Sequence, residues 1–207
     1  YSEGCHLYKD RVQPLALSDD RLSEALTVAE HSDVVILCLG LDETLEGEQG
    51  ATGNFSASGD KIDLNLPKVQ QKLLERVVAV GKPTILLLST GSAMNLNFAD
   101  EKCNAIFQTW YPGARGGRAI AECLFGDFSP SGKLPVTFYR SIDDIPEFTD
   151  YSMKGRTYRY IEKEPLYPFG YGLTYSKVKL GNLKVLNEVT KELNVSEAHG
   201  TRIVGAL

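Results

Sequence analysis

DVVILCLG, residues 33–40, is the stretch on which the fold turns. It is a continuous apolar run that closes on a glycine, and at this length it reads as a strand buried on both faces. Two more runs share its character: PTILLLS at 83–89 and NAIFQTW at 104–110. Amphipathic segments lie around them. Ser18–His31 places Leu22, Ala25, Leu26 and Ala29 on one helical stripe, with acids in the first turn. Pro67–Val80 puts Val69, Leu73, Val77 and Val80 on one face; Pro67 suits the first turn and Gly81 the C-terminal cap. Gly116–Phe125 is a further helix, closed by Gly126. The order is helix, strand, loop, helix, strand, strand, helix. Apolar strands alternating with helices predict an α/β fold, a layered sandwich with a mainly parallel central sheet.

Such sheets bind ligands beyond the carboxyl ends of their strands. That rule singles out three segments: Leu41–Asp60, Thr90–Asn97 and Tyr111–Arg118. The first is the most informative. It and the residues just after it hold Asp42, Glu43, Glu46, Glu48, Asp60 and Asp63. Glu46 and Glu48 are two apart, so in an extended segment their side chains point the same way. A carboxyl group in a pocket, its pKa raised by a second acid, can serve as a general acid near neutral pH. Against this stand a solvated acidic loop and a Ca²⁺ site, and spacing alone does not choose. The order D-x-D-x-D-G that an EF-hand needs is missing.

Other features carry less chemistry. Gly113, Gly116 and Gly117 precede a helix, but match neither G-x-G-x-x-G nor a P-loop, and read as glycines for close strand-to-helix packing. The histidines, His6, His31 and His199, lack metal-ligand spacing, so no metal and no cofactor is expected. Ser58, Ser89 and Ser92 lack a G-x-S-x-G elbow, so no nucleophile is assigned. Cys5, Cys38, Cys103 and Cys123 form no CxxC pair; Cys38 and Cys123 sit in apolar stretches and read as buried free thiols. A reducing, cytoplasmic setting follows as the expectation.

The 207 residues carry 43% hydrophobic and 24% charged side chains, an ordinary globular balance. No apolar run approaches the ~18 residues of a membrane span. A formal net charge of −5 disfavours nucleic acid as a partner. Beyond Asp127 the texture changes to Pro, Gly and Tyr, including Tyr139, Tyr151, Tyr158, Tyr160, Tyr167, Tyr171 and Tyr175. This reads as extended chain wrapping a surface, its tyrosines covering a sheet edge or forming a binding surface. From Ser176, KVKLGNLKVLNEV and GTRIVGAL read as short strands. The first residues are no signal peptide and lack an initiator Met, and the last are apolar, so both ends are expected to continue into a longer chain.

Taken together, LGLDETLEGEQG, GDKIDLNLPKVQQKLLERV, GKPTILLLSTGSAMNL, QTWYPGARGGRAIAECLFGDFSPSGKLPVTFY, TDYSMKGRTYRY and PLYPFGYGLTY closely resemble the C-terminal (α/β)-sandwich domain of family 3 glycoside hydrolases, nearest its β-xylosidase/β-glucosidase branch. The resemblance is collinear over residues 1–175. The tail, 176–207, is similar to the start of the fibronectin-III-like domain that often follows. The resemblance implies that this sandwich is partial, its first strand and helix lying upstream. It implies a retaining β-glycosidase acting on terminal β-linked glucose or xylose. The nucleophilic Asp lies on an N-terminal (β/α)₈ barrel, and the sandwich supplies the acid/base Glu. The matching residue is Glu48 or Glu46. Some members of the family align with one and some with the other; Glu48 is preferred. The implied partners are the barrel and a glycoside substrate. Neither nucleic acid nor membrane is implied, and self-association is expected if the barrel-facing surface is uncovered. This chain alone is expected to be inactive. The competing reading is a non-catalytic α/β carbohydrate-binding or scaffold module with a merely solvated acidic loop.

Overall fold

In a computed structural model, the structure describes residues 1–9, 11, 13, 15–48, 61–177, 183–187 and 192–195, the last two stretches as backbone only. Three parallel strands form an open sheet in the order β1-β2-β3: Val35–Gly40, Thr84–Ser89 and Ala105–Gln108. The register pairs Val35 with Thr84, Gly40 with Ser89, Ile85 with Ala105 and Leu88 with Gln108. Helix α1 (Asp20–Glu30) precedes β1; α2 (Lys68–Val78) and α3 (Asn97–Lys102) make the two crossovers; α4 (Gly116–Leu124) follows β3. The predicted α/β class and parallel sheet stand. The six-residue α3 escaped the sequence reading because NFADEK is too short to show a helical period.

One face of the sheet holds the core. Leu37 and Leu39 of β1 and Leu86 and Leu88 of β2 meet Leu22 and Ala29 of α1 and Leu73, Leu74 and Val77 of α2. The buried stripe of α2 is rotated from the predicted one: it takes in Gln70 and Leu74 and leaves Val69 only half-buried. Pro67 sits just before the helix rather than inside its first turn. Gly81, at φ 82°, turns the chain away after donating its N–H to Val78 O at 3.0 Å.

The opposite face corrects two expectations. Strand β1 is not buried on both faces: Ile36 is 46% exposed and Cys38 is exposed too, so Cys38 is not a buried thiol. An apolar run marks the capacity to be covered twice, but in β1 only the odd positions face the core. Cys123 does lie buried.

Residues 127–177 wrap the body in irregular chain, as expected. A 3₁₀ turn (Ile142–Asp144) and the short α5 (Thr157–Tyr160) interrupt it. It is pinned by an antiparallel bridge between Phe138 and Tyr167, with Phe138 only 1% exposed in the core. Further on, β4 (Leu183–Asn187) and β5 (Glu192–Val195) pair antiparallel. GTRIVGAL lies outside the described residues. Among the described residues no helix is long and apolar enough to cross a membrane.

Candidate active site at the carboxyl ends of the strands

Strand β1 ends at Gly40, paired with Ser89 of β2. A side chain on Gly40 would place its Cβ 2.0 Å from Ser89 O, so only glycine fits there. The buried Gln70 side chain closes this point from below. Its Oε1 accepts from Gly40 N–H at 2.8 Å, and its Nε2 donates to Gly40 O at 2.7 Å and to Leu7 O at 2.8 Å. Leu41 then bonds back to Ser89 O at 2.9 Å, and the acidic loop departs from a fixed origin.

The loop opens as a turn, not as the extended segment the spacing suggested. Leu45 and Glu46 N–H both donate to Asp42 O, at 3.0 and 2.9 Å, and the Asp42 carboxylate accepts from the N–H and hydroxyl of Thr44. The two candidate acids consequently have different surroundings. Glu46 is half-buried and Glu48 is exposed. The Glu46 carboxylate accepts from Gly91 N–H at 2.9 Å, from the Ser92 hydroxyl and from the Tyr111 hydroxyl. All three predicted ligand-end segments therefore meet at one carboxylate.

Burial alone would raise the pKa of Glu46. The bonds from Ser92, Tyr111 and Gly91, with the Lys61 charge, outweigh it and hold the carboxyl below its ordinary range. A second acid raising the pKa of Glu46, as the spacing suggested, is not what this site does. Tyr111 moves the other way: burial, then its bond to Glu46 and that group's charge, keep the phenol protonated. Lys61, where the described chain resumes, lies against Met94 Sδ at 2.9 Å; burial lowers its pKa, and the charges of Glu46 and Asp63 oppose that.

The platform beneath is cross-braced. Ser89 and Thr109 share a hydroxyl–hydroxyl bond of 2.8 Å, and Gln108 Nε2 donates to Thr90 O at 3.0 Å. Thr90, fully buried, donates its hydroxyl to Ser92 O at 2.8 Å. Trp110, a non-glycine residue at φ 53°, bends the chain sharply just before Tyr111.

Of the other acids, Glu43 is exposed, and Asp63 caps a turn by accepting from Asn65 N–H at 2.8 Å. Asp60, with residues 49–59, lies outside the described residues. Of the three glycines read as serving close strand-to-helix packing, only Gly116 is crowded, and by Pro112 of the preceding turn, whose Cγ a Cβ there would meet at 2.3 Å; Gly113 and Gly117 face open space, and Gly113 stands at φ 71°. His31 bonds to Thr27 O within α1, His6 accepts from Tyr8 N–H and Lys9 N–H, and His199 lies outside the described residues. Sequence reasoning named the segments but missed Gly91, Ser92, Tyr111, Lys61 and Gln70 as individuals. The strand-end rule was the signal that could have found the first three.

Residues 6–175 match the family described as the glycosyl hydrolase family 3 C-terminal domain. A xylan 1,4-β-xylosidase of Xylanibacter ruminicola is 47% identical over 152 residues, 73% of this chain and 18% of that protein. A periplasmic β-glucosidase of Salmonella typhimurium is 36% identical over 188 residues, covering 83% of this chain and 23% of that one. Among solved structures, a β-glucosidase from Erythrobacter marinus superposes with a TM-score of 0.70 at 34% identity, over 89% of this chain and 26% of that one. The chain thus spans between 18% and 26% of the length of these proteins.

Proposed function

The chain belongs to the C-terminal domain family of glycosyl hydrolase family 3, and we propose that it is the acid/base-bearing part of a longer retaining β-glycosidase that releases terminal, non-reducing β-linked glucose or xylose. The substrate class is suggested by relatives called β-xylosidase and β-glucosidase. Glu48 is the acid/base, and the nucleophilic Asp stands on a (β/α)₈ barrel of the same polypeptide. The antiparallel β4–β5 pair is compatible with a fibronectin-III-like segment beginning near Ser176.

One observation carries the choice of Glu48: its neighbour is already engaged. A general acid must hold a proton at working pH and bring it to the leaving oxygen. The Glu46 carboxylate is taken up by three donors and held ionised. Glu48, two residues further along the same loop, is exposed at the ligand end of the sheet.

The reaction then runs in two displacements. As the Asp carboxylate attacks the anomeric carbon, Glu48 gives its proton to the glycosidic oxygen, the C–O bond breaks and the aglycone alcohol leaves. The resulting glycosyl ester is opened by water, whose proton passes to the Glu48 carboxylate, freeing the sugar with its configuration retained.

The test is Glu48→Gln in the full-length enzyme. Turnover of alkyl glycosides should fall by about 10²–10⁴-fold, because a basic alkoxide needs the proton. Activated aryl glycosides should lose little in the first step, and azide should restore the second and yield the β-glycosyl azide. Equal losses on both substrate types with no azide effect would refute the assignment; no loss on either would favour a non-catalytic module.

A further inference from the structure

We propose that Glu46 is a positioning residue: by accepting from Gly91 N–H, Ser92 Oγ–H and Tyr111 Oη–H, its carboxylate clamps the β1 loop onto the ends of β2 and β3 and thereby presents Glu48 to the substrate. This rests on Glu48 being the acid/base.

The clamp has a built seat. A Cβ on Gly91 would lie 3.0 Å from Glu46 Oε2 and 3.0 Å from Tyr111 Cε2, so glycine is what lets carboxylate and ring close over that backbone. The Trp110 bend sets the direction of Tyr111. Thr90, under Ser92, is itself held by Gln108, so the donors stand on braced ground rather than on free loops. Three donors from two strand ends converge on one side chain of a third. Removing one loosens the loop while leaving the Glu48 carboxylate itself in place. The carboxyl of Glu46 also stays ionised where Glu48 must cycle its proton, so the clamp does not compete for protons with the group it carries.

The near end of the loop carrying Glu48 is also seated by Leu41 and Leu45, both buried in the core, and by the bond from Leu41 N–H to Ser89 O. The Asp42 turn shapes its first residues, but it bonds within the loop and anchors it to neither β2 nor β3. The bonds of Glu46 add side-chain ties that run laterally, from the loop across the ends of β2 and β3.

The experiment is a double-mutant cycle in the full-length enzyme. Tyr111→Phe keeps the ring and removes one donor; Glu46→Gln, the harsher change, leaves three donors facing an amide. On alkyl glycosides each should lower kcat by about 10-fold or more with little change in KM, the scale of a misplaced catalytic group. Neither should respond to azide, since the Glu48 carboxylate is still present. In the Glu48→Gln background both losses should vanish, because nothing is left to position. Ser92→Thr, which retains a hydroxyl, should hold activity where Ser92→Ala loses it, even if Glu46→Gln fails to fold.

Losses that multiply undiminished in the Glu48→Gln background would overturn the clamp and leave the acid/base assignment intact, as would no loss in Tyr111→Phe and Ser92→Ala. If Glu46→Gln alone shows leaving-group dependence with azide rescue, Glu46 is the acid/base and both readings fall. If neither carboxamide variant shows it, the acid/base assignment fails and the clamp, which rests on it, falls with it.

Discussion

Replacing Gln70 with methionine keeps the volume of a buried side chain and deletes its amide. The native amide makes three bonds, with Gly40 N–H at 2.8 Å, Gly40 O at 2.7 Å and Leu7 O at 2.8 Å. Gly40 is buried, and Gln70 is only 2% exposed, so water does not readily replace the lost partners. An orphaned buried N–H costs roughly 1–3 kcal/mol, and an under-satisfied carbonyl somewhat less, so the sum is about 3 kcal/mol. With an urea m-value of about 2 kcal/mol/M, the unfolding midpoint should drop by about 1.5 M. Hydrogen exchange supplies the local readout: the Gly40 amide should lose protection, while amides of β2 change only with global stability. A midpoint shift under about 0.3 M, or an unchanged Gly40 amide, would refute the view that this amide fixes the origin of the acidic loop.

Gly40→Ala should be harsher still, costing about 4 kcal/mol or more and yielding insoluble or unfolded chain, since its Cβ meets Ser89 O at 2.0 Å; a soluble variant with a native-like melt would contradict the contact. The Glu46 carboxyl is depressed by folding, so its stabilising effect is present above the ordinary carboxylate pKa and is lost as pH falls through the depressed one. Urea melts of wild type and Tyr111→Phe should therefore differ most above the ordinary carboxylate range and converge as the pH falls through the depressed pKa, and a gap that widens on acidification would count against the coupling. The chain alone should turn over neither aryl β-glucosides nor aryl β-xylosides, because retention needs two carboxylates about 5–5.5 Å apart and the proposed nucleophile belongs to the barrel; turnover abolished by Glu48→Gln in this chain would refute that.

The parallel sheet was legible because strand runs and helical stripes have different periods, and DVVILCLG, PTILLLS and the amphipathic Pro67–Val80 show them openly. What escaped has physical reasons. The α2 stripe turned to bury Gln70 because an amide can be buried once it is fully bonded, and no hydrophobic count sees that. The outer face of β1 read as covered because Ile36 and Cys38 are as apolar as Leu37 and Leu39; which face meets helices is a tertiary fact. At the site, the strand-end rule named the right three segments. It could not foresee that Glu46 would be engaged by Ser92, 46 residues away, and by Tyr111, 65 away. Spacing treated Glu46 and Glu48 as equals, and only the turn over Asp42–Glu46 separates them.

The amide of Gln70 also acts as a stop on the sheet. Val35 and Leu41 donate their N–H groups toward the β2 side, to Pro83 O and Ser89 O. By the alternation of a parallel strand, the main-chain groups of Ile36, Cys38 and Gly40 face outward, along an edge that no strand of the described residues pairs with. At Gly40 that outward rung is already filled by a side chain imitating a peptide group, donor and acceptor both. Any strand that zips onto this edge can use the rungs of Ile36 and Cys38 but is halted at Gly40. Edge growth and the acidic loop are thereby kept apart: the sheet is extensible at its amino-terminal end and sealed one residue short of the site.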